Sequence, residues 1–257
     1  QRQEINTKLN EGVAFPFIKR LLHLNELLPD IKPIEVILLS RNSIDTGLRV
    51  FRSISSHELD ITRAAFLSGS APHPYIPAYN ASLFLSGNEA DVKRAVSEGY
   101  PAGLVLDSKS IVDDKSEQLR IAFDFDGVIA SDDSERFYKE NGIADYLKHE
   151  EMFGDKPLEI GPLGKLLQKI CQIQKLEQEE HERNKDYQPF LRTSIITARN
   201  APAHERVITT LKHHGIAVDE AFFMGGIDKR KILEVIKPHL FFDDQMLHLT
   251  DLKDIPA

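Results

Sequence analysis

Four apolar runs in this chain end on side chains able to do chemistry. Phe123 leads into Asp124-Phe125-Asp126-Gly127, Ile196 into Thr197-Ala198-Arg199, Met224 into Gly225-Gly226-Ile227-Asp228-Lys229, and Phe242 into Asp243-Asp244-Gln245. Two Asp one residue apart after a strand point the same way if strand geometry continues. Joined by Asp243 or Asp244, they make an all-oxygen site suited to Mg²⁺, which binds through one or two carboxylates plus water or phosphate. Without a cation these carboxylates repel and raise one another's pKa. A cation, the Lys229 ammonium and the Thr197 hydroxyl together are what a phosphoryl group needs for charge and hydrogen bonding. Alone, Asp124-Phe125-Asp126-Gly127 reads equally as an Asx-type turn. Three further polar strand ends in the same order favour chemistry. Lys231 competes for the lysine role, and spacing from Gly226 selects Lys229.

Open α/β sheets present ligands at the carboxyl ends of their strands, so the elements must deliver these four tips to one rim. In the second half the spacing predicts strands at 120–123, 193–196, 221–224 and 240–242, with a helix through Val207, Ile208 and Leu211. In the first half a helix pattern runs from Phe17 to Leu27 and stops at Pro29. Ile34-Glu35-Val36-Ile37-Leu38-Leu39 reads as a strand covered on both faces, a helix follows through Leu48 to Ile54, and strands are expected at 64–67, 83–85 and 103–106. The alternation predicts an α/β fold with parallel sheets.

An internal repeat is visible. A constant offset of 157 positions places Ser40 on Thr197, Arg49 on Arg206, Gly69 on Gly226 and Phe84 on Phe241 without a gap from residue 40 to 86. Two related Rossmann-like lobes are expected, 1–115 and 116–257; two unrelated α/β units of similar grammar are the alternative. Asp243-Asp244 falls on Ser86-Gly87 and Lys229 on Pro72, so the first lobe lacks the charged chemistry. Residues 131–190 interrupt the second lobe with a long helix, 165–186, and a charge run that reads as a wet helix face. Their position suits a helical cap over the strand ends.

At 257 residues the chain has room for one or two domains. With 32 Lys+Arg against 40 Asp+Glu, the net charge of −8 argues against a nucleic-acid surface. The single Cys171 has no intrachain partner, which points to a reducing compartment, the cytoplasm by default. No apolar run approaches a membrane span, and the polar start is unlike a signal peptide. The chain does not open on Met and reads as starting inside a longer protein.

Asp124-x-Asp126-Gly127-Val128, Ile195-Ile196-Thr197, Lys229 and Phe241-Phe242-Asp243-Asp244 resemble, in order, the four motifs of the haloacid dehalogenase-like (HAD) phosphohydrolases. With 12–17, 40–50, Ser131-Asp132-Asp133-Ser134-Glu135, Thr197-Ala198-Arg199 and 238–246, the chain resembles the cytosolic 5'-nucleotidase type I family over nearly its whole length. Two departures stand out: Asp-Phe-Asp-Gly replaces the usual Asp-Gly-Asp-Ala, and Ile227-Asp228 precedes Lys229 instead of a small residue and Pro. Asp228 beside Lys229 would lower the positive charge offered to phosphate.

The resemblance implies Mg²⁺-dependent hydrolysis of nucleoside 5'-monophosphates. Asp124 would be the nucleophile that becomes an aspartyl phosphate, and Asp126 the acid and base. Thr197, Ala198 and Lys229 would hold the phosphoryl oxygens, with Asp124, Asp126 (through its carbonyl), Asp243 and Asp244 around the metal. It also implies an extra strand ahead of Gln1. A phosphatase for another small phosphomonoester, such as a sugar phosphate, and a non-catalytic nucleotide sensor remain alternatives.

Ser134, Arg199 and Phe153 are candidate substrate or cap contacts; for Arg199 a surface ion pair is the competing reading, and for Phe153, Phe137 and Tyr138 it is plain packing. Ser40, Arg41, Asn42 and Asp45 line the first lobe's rim, where they bind an effector, shape a lobe interface or only connect strand to helix. His181, His204, His213, His214, His239 and His248 lack a zinc spacing.

Overall fold

The computed structural model describes residues 7–106 and 118–245. The domain boundary expected at 115–116, and Met246 and His248, lie outside the described residues. The chain divides into two compact units, 1–105 and 106–257.

In the first unit, α1 (Phe15–Leu27) precedes β1 (Ile37–Ser40), α2 (Ile44–Ser56), β2 (Arg63–Phe66), a 3₁₀ turn at His73–Tyr75, β3 (Phe84–Ser86), α3 (Glu89–Ser97) and β4 (Ala102–Leu104). β1 pairs with β2 and β3 with β4, each pair parallel, in two separate two-stranded sheets among the described residues. β1 starts later than the apolar run from Ile34 suggests. The Asn25 amide takes both backbone groups of Ile34, donating to its carbonyl at 2.7 Å and accepting its N–H at 2.9 Å, so those groups are not free for a ladder. Nor is β1 fully covered: all four residues are half-buried.

The second unit continues with β5 (Leu119–Phe123), α4 (Asp133–Met152, broken at Gly142), α5 (Gly164–Arg183), β6 (Leu191–Thr197), α6 (His204–His213), β7 (Glu220–Phe223), α7 (Arg230–Ile236) and β8 (Leu240–Phe242). Its sheet is parallel, in the order β7-β6-β5-β8. β5 and β6 are almost wholly buried, as the apolar run of a strand covered on both faces requires. The chain steps outward from β5 to β7 and then crosses back to place β8 on β5's other side, which creates a switch point between β5 and β8. There Phe123 pairs with Phe242, their rings stacked at 5.3 Å.

α5 is fastened to the start of β6. Buried Glu177 accepts hydrogen bonds from the N–H groups of Phe190 (2.8 Å) and Leu191 (3.1 Å) and from the Tyr187 hydroxyl (2.7 Å). Glu177→Ala strands these buried donors and is expected to cost on the order of 3 kcal/mol, read as a lower urea midpoint with unchanged slope.

Several bonds occur twice. Leu67 N–H donates to the Ser40 carbonyl at 2.8 Å and Met224 N–H to that of Thr197 at 2.8 Å; Gly69 donates to Arg41 and Gly226 to Ala198; Ser68 donates to Asn42 and Gly225 to Arg199. Asn42 N–H reaches Ser40 Oγ at 3.1 Å, and Arg199 N–H reaches Thr197 Oγ1 at 3.2 Å. All sit 157 residues apart. Residues 157 apart on α2 and α6, and at their C-caps, also hold segments 149 apart: Arg49 Nε donates to the Thr7 carbonyl and Arg206 Nε to that of Lys156, while His57 and His214 each meet a leucine carbonyl, of Leu9 and Leu158, at 2.9 Å.

Candidate active site

Register alone brings two acids together. Because Phe123 pairs with Phe242, Asp124 follows β5 beside Asp243 at the end of β8, and Asp124 N–H donates to the Phe242 carbonyl at 2.7 Å. Lys229, at the N-terminal edge of α7, places its ammonium 2.7 Å from Asp124 Oδ2 and 2.8 Å from Asp243 Oδ2. The remaining oxygens are held by backbone: Phe125 N–H donates to Asp124 Oδ1 at 2.7 Å and Gln245 N–H to Asp243 Oδ1 at 2.8 Å. Asp124 and Lys229 are each only 4% exposed.

Asp244 completes the group: one oxygen each from Asp124, Asp243 and Asp244 lie within 4.8 Å of one another. Gly127 makes this approach possible. It sits at φ +72°, and a Cβ there would meet Asp244 Oδ2 at 2.5 Å. Three carboxylates against one ammonium leave excess negative charge. Burial, reinforced by Asp243 and opposed by Lys229, pushes the Asp124 carboxyl up to about 7. Burial, Glu135 and Asp243 raise that of Asp244. Burial would lower Lys229, but Asp124 and Asp243 outweigh it and raise the ammonium's pKa. An all-oxygen donor set, negative charge in excess and a glycine-lined cradle fit a divalent cation.

Asp126 goes elsewhere. β5 ends at Phe123, so the period-two rule no longer holds through 124–126, and the two carboxylates do not share partners. Arg199 grips Asp126 in a two-point pair, Nη2 to Oδ1 at 2.6 Å and Nε to Oδ2 at 2.8 Å. The expectation of a surface ion pair for Arg199 fails on burial, since its side chain is 2% exposed. Burial would lower its pKa, but hydrogen bonding to Asp126 more than offsets this and raises it. Its third nitrogen reaches Glu150 on α4 at 2.5 Å.

Glu150, wholly buried, also accepts from Ser134 Oγ (2.8 Å) and Arg206 Nη1 (2.9 Å). Ser134 is therefore committed to this network. Burial tends to raise the Glu150 carboxyl, but Arg199, Ser134 and Arg206 hold it below its ordinary value near 4.5. A depressed carboxylate contributes stability above its unfolded pKa, and that stability is lost as pH falls through the folded value. Glu150→Gln is expected to cost about 3 kcal/mol at pH 7, and its gap from wild type in urea titrations should close below pH 4.5.

Thr197 is buried at the end of β6, with Ala198 exposed just beyond. Lys231 is exposed, whereas Lys229 is buried among the acids. The Asp228 carboxylate accepts from Arg230 N–H at 2.9 Å. Phe153 packs against His149 with Arg206 and Lys156 over its ring. Phe137 stacks on His149 at 4.2 Å, and Tyr138 meets Tyr146 edge-on. Ser134, Phe137, His149 and Arg206 line a cavity of about 300 Å³. In the first unit Arg41 is paired with Asp91 and donates to the Gly69 carbonyl, and Asp45 lies in the first turn of α2. Glu150 and Arg206 were missed by sequence reasoning, for a mixed-charge helix carries no motif to mark one buried acid.

A parallel sheet whose adjacent strand ends set Asp124 and Asp243 side by side at a switch point, with Lys229 reaching them from the start of α7, defines the class: an α/β protein with an acidic group that could hold a cation. Residues 1–256 match the 5'-nucleotidase family, and the chain belongs to it, as a relative of the cytosolic type I members. Human cytosolic 5'-nucleotidase 1B (Homo sapiens) is 34% identical over 250 residues, which is 95% of this chain and 40% of that relative. The chain thus spans about two-fifths of that relative's length. No solved structure matches it. Among the described residues no helix is long and apolar enough to cross a membrane.

Proposed function

We propose that the second unit hydrolyses nucleoside 5'-monophosphates to nucleoside and phosphate in the manner of HAD-like phosphohydrolases, with Mg²⁺ as cofactor and the cytoplasm as its compartment. The observation that carries this is Asp124, clasped by Lys229 and Phe125 N–H beside Asp243 and Asp244 at the switch point.

Asp124, Asp243, Asp244 and the Asp126 carbonyl would hold the ion. When bound, Mg²⁺ supplies charge that favours the ionised carboxylates and the phosphoryl oxygens. The Asp124 carboxylate attacks phosphorus; the bond to the ribose 5'-oxygen breaks, and that oxygen takes the proton of Asp126, which enters the cycle in its acid form and leaves this step as the carboxylate that Arg199 grips. A water then gives its proton to Asp126 and attacks the aspartyl phosphate, which returns the Asp124 carboxylate and releases phosphate. Thr197, Ala198 N–H and Lys229 hold the phosphoryl oxygens meanwhile.

We further read the two units as copies of one ancestral unit, supported by the hydrogen bonds that recur 157 and 149 residues apart. In that reading α5 corresponds to α1 and belongs to the core, so the cap narrows from 131–190 to the α4 region.

The test is phosphate release from a panel of nucleoside 5'-monophosphates and sugar phosphates. Release from nucleotides that stops with EDTA and returns with Mg²⁺ is expected. Equal rates on sugar phosphates would shift the assignment to a general phosphomonoesterase, and binding without release to a sensor.

A further inference from the structure

We infer that Arg199 is a positioning residue for proton transfer, fixing the Asp126 carboxylate and tying its place to α4 through Glu150. The inference rests on the phosphohydrolase reading above, and four observations carry it. First, the contact is two-pointed: both Asp126 oxygens are taken by the guanidinium, at 2.6 and 2.8 Å, a geometry that sets the plane of the carboxylate as well as its distance. Second, the guanidinium is itself immobilised. It is buried, stacked over the Phe125 ring at 5.4 Å, and its remaining nitrogen is taken by Glu150 at 2.5 Å and the Ala203 carbonyl at 3.4 Å.

Third, Glu150 is not a loose partner. It lies on α4, in the segment between β5 and β6, and is pinned by Ser134 and by Arg206, whose Nε is bonded to the Lys156 carbonyl. The chain of contacts therefore runs from Asp126 through Arg199 to Glu150, and from there to both Ser134 near the start of α4 and Arg206 on α6. Fourth, Asp126 does not join the acidic group of Asp124, Asp243 and Asp244, so the group that moves the proton is held by different machinery from the group that holds charge. A displacement of α4 shifts Glu150, and the guanidinium must follow or lose a buried partner. Proton transfer is sensitive to displacements of about 1 Å, so the fork makes the acid's alignment depend on the insert helix.

The test compares two leaving groups. A nucleoside 5'-oxygen needs a proton to leave, whereas p-nitrophenolate does not. Arg199→Lys keeps the buried charge but not the two-point grip, and a thermal midpoint near wild type establishes that it folds. Its kcat loss on a nucleotide is expected to exceed its loss on p-nitrophenyl phosphate by at least about tenfold, with KM little changed. Glu150→Gln should show a smaller bias of the same sign. In metal-free protein, Arg199→Lys should also speed amide exchange in residues 147–152. Equal losses on both substrates, or a loss confined to KM, would overturn the positioning role; no bias in Glu150→Gln would overturn the link to α4. Should wild type release phosphate from neither substrate, the phosphohydrolase reading itself falls, an outcome distinct from equal losses in an active enzyme.

Discussion

Replacing Asp124 by Asn is expected to lower phosphate release from a nucleotide by at least about 10⁴-fold, because a neutral amide cannot form the bond to phosphorus. That factor corresponds to about 5.5 kcal/mol of lost transition-state stabilisation. The fold should survive. Burial holds the Asp124 carboxyl near 7, well above its unfolded value of 3.8, so the folded state binds an extra proton between those limits. A carboxyl raised in this way loses its stability contribution as pH rises toward 7. The metal-free variant should therefore melt no lower than wild type at pH 7.5, and added Mg²⁺ should stabilise it less. Circular dichroism melts beside a phosphate-release assay separate the two effects; substantial turnover in a folded Asp124→Asn protein would refute the nucleophile.

The second large effect belongs to Lys229. Its ammonium lies within 2.8 Å of two buried carboxylates. Lys229→Met leaves Asp124 and Asp243 facing each other, which is expected to cost the metal-free protein about 3–5 kcal/mol. Turnover should fall about 10²–10³-fold with the loss of a positioned cation at the phosphoryl oxygens. A divalent ion can take over part of the missing charge, so Mg²⁺ should raise the melting temperature more in this variant than in wild type. Equal shifts in both proteins would contradict the shared-charge account.

Asp124, Lys229 and Asp243 were legible as a group because strand ends in an open parallel sheet converge on one rim, and each followed a recognisable apolar run. The partnership of Asp126 was not. It depends on where β5 stops, one residue before Asp124, and on an arginine that the sequence left open between a substrate or cap contact and a surface ion pair. The first unit was read less well for a similar reason: Ile34 and Val36 have strand character, but the Asn25 side chain occupies the backbone groups of Ile34. Side-chain to backbone bonds of this kind, like the Glu177 clamp on β6, depend on tertiary neighbours that hydrophobic spacing does not encode.

The central claim is that the Asp124 carboxylate meets phosphorus beside a divalent ion. Crystals soaked with Mg²⁺ and beryllium fluoride, a mimic of a phosphoryl group, test it directly. The account predicts the fluoride complex bonded to Asp124 Oδ, within reach of Lys229 and Thr197, with a metal ion contacting Asp243. Fluoride density elsewhere, or a metal that leaves Asp124 untouched, would contradict it.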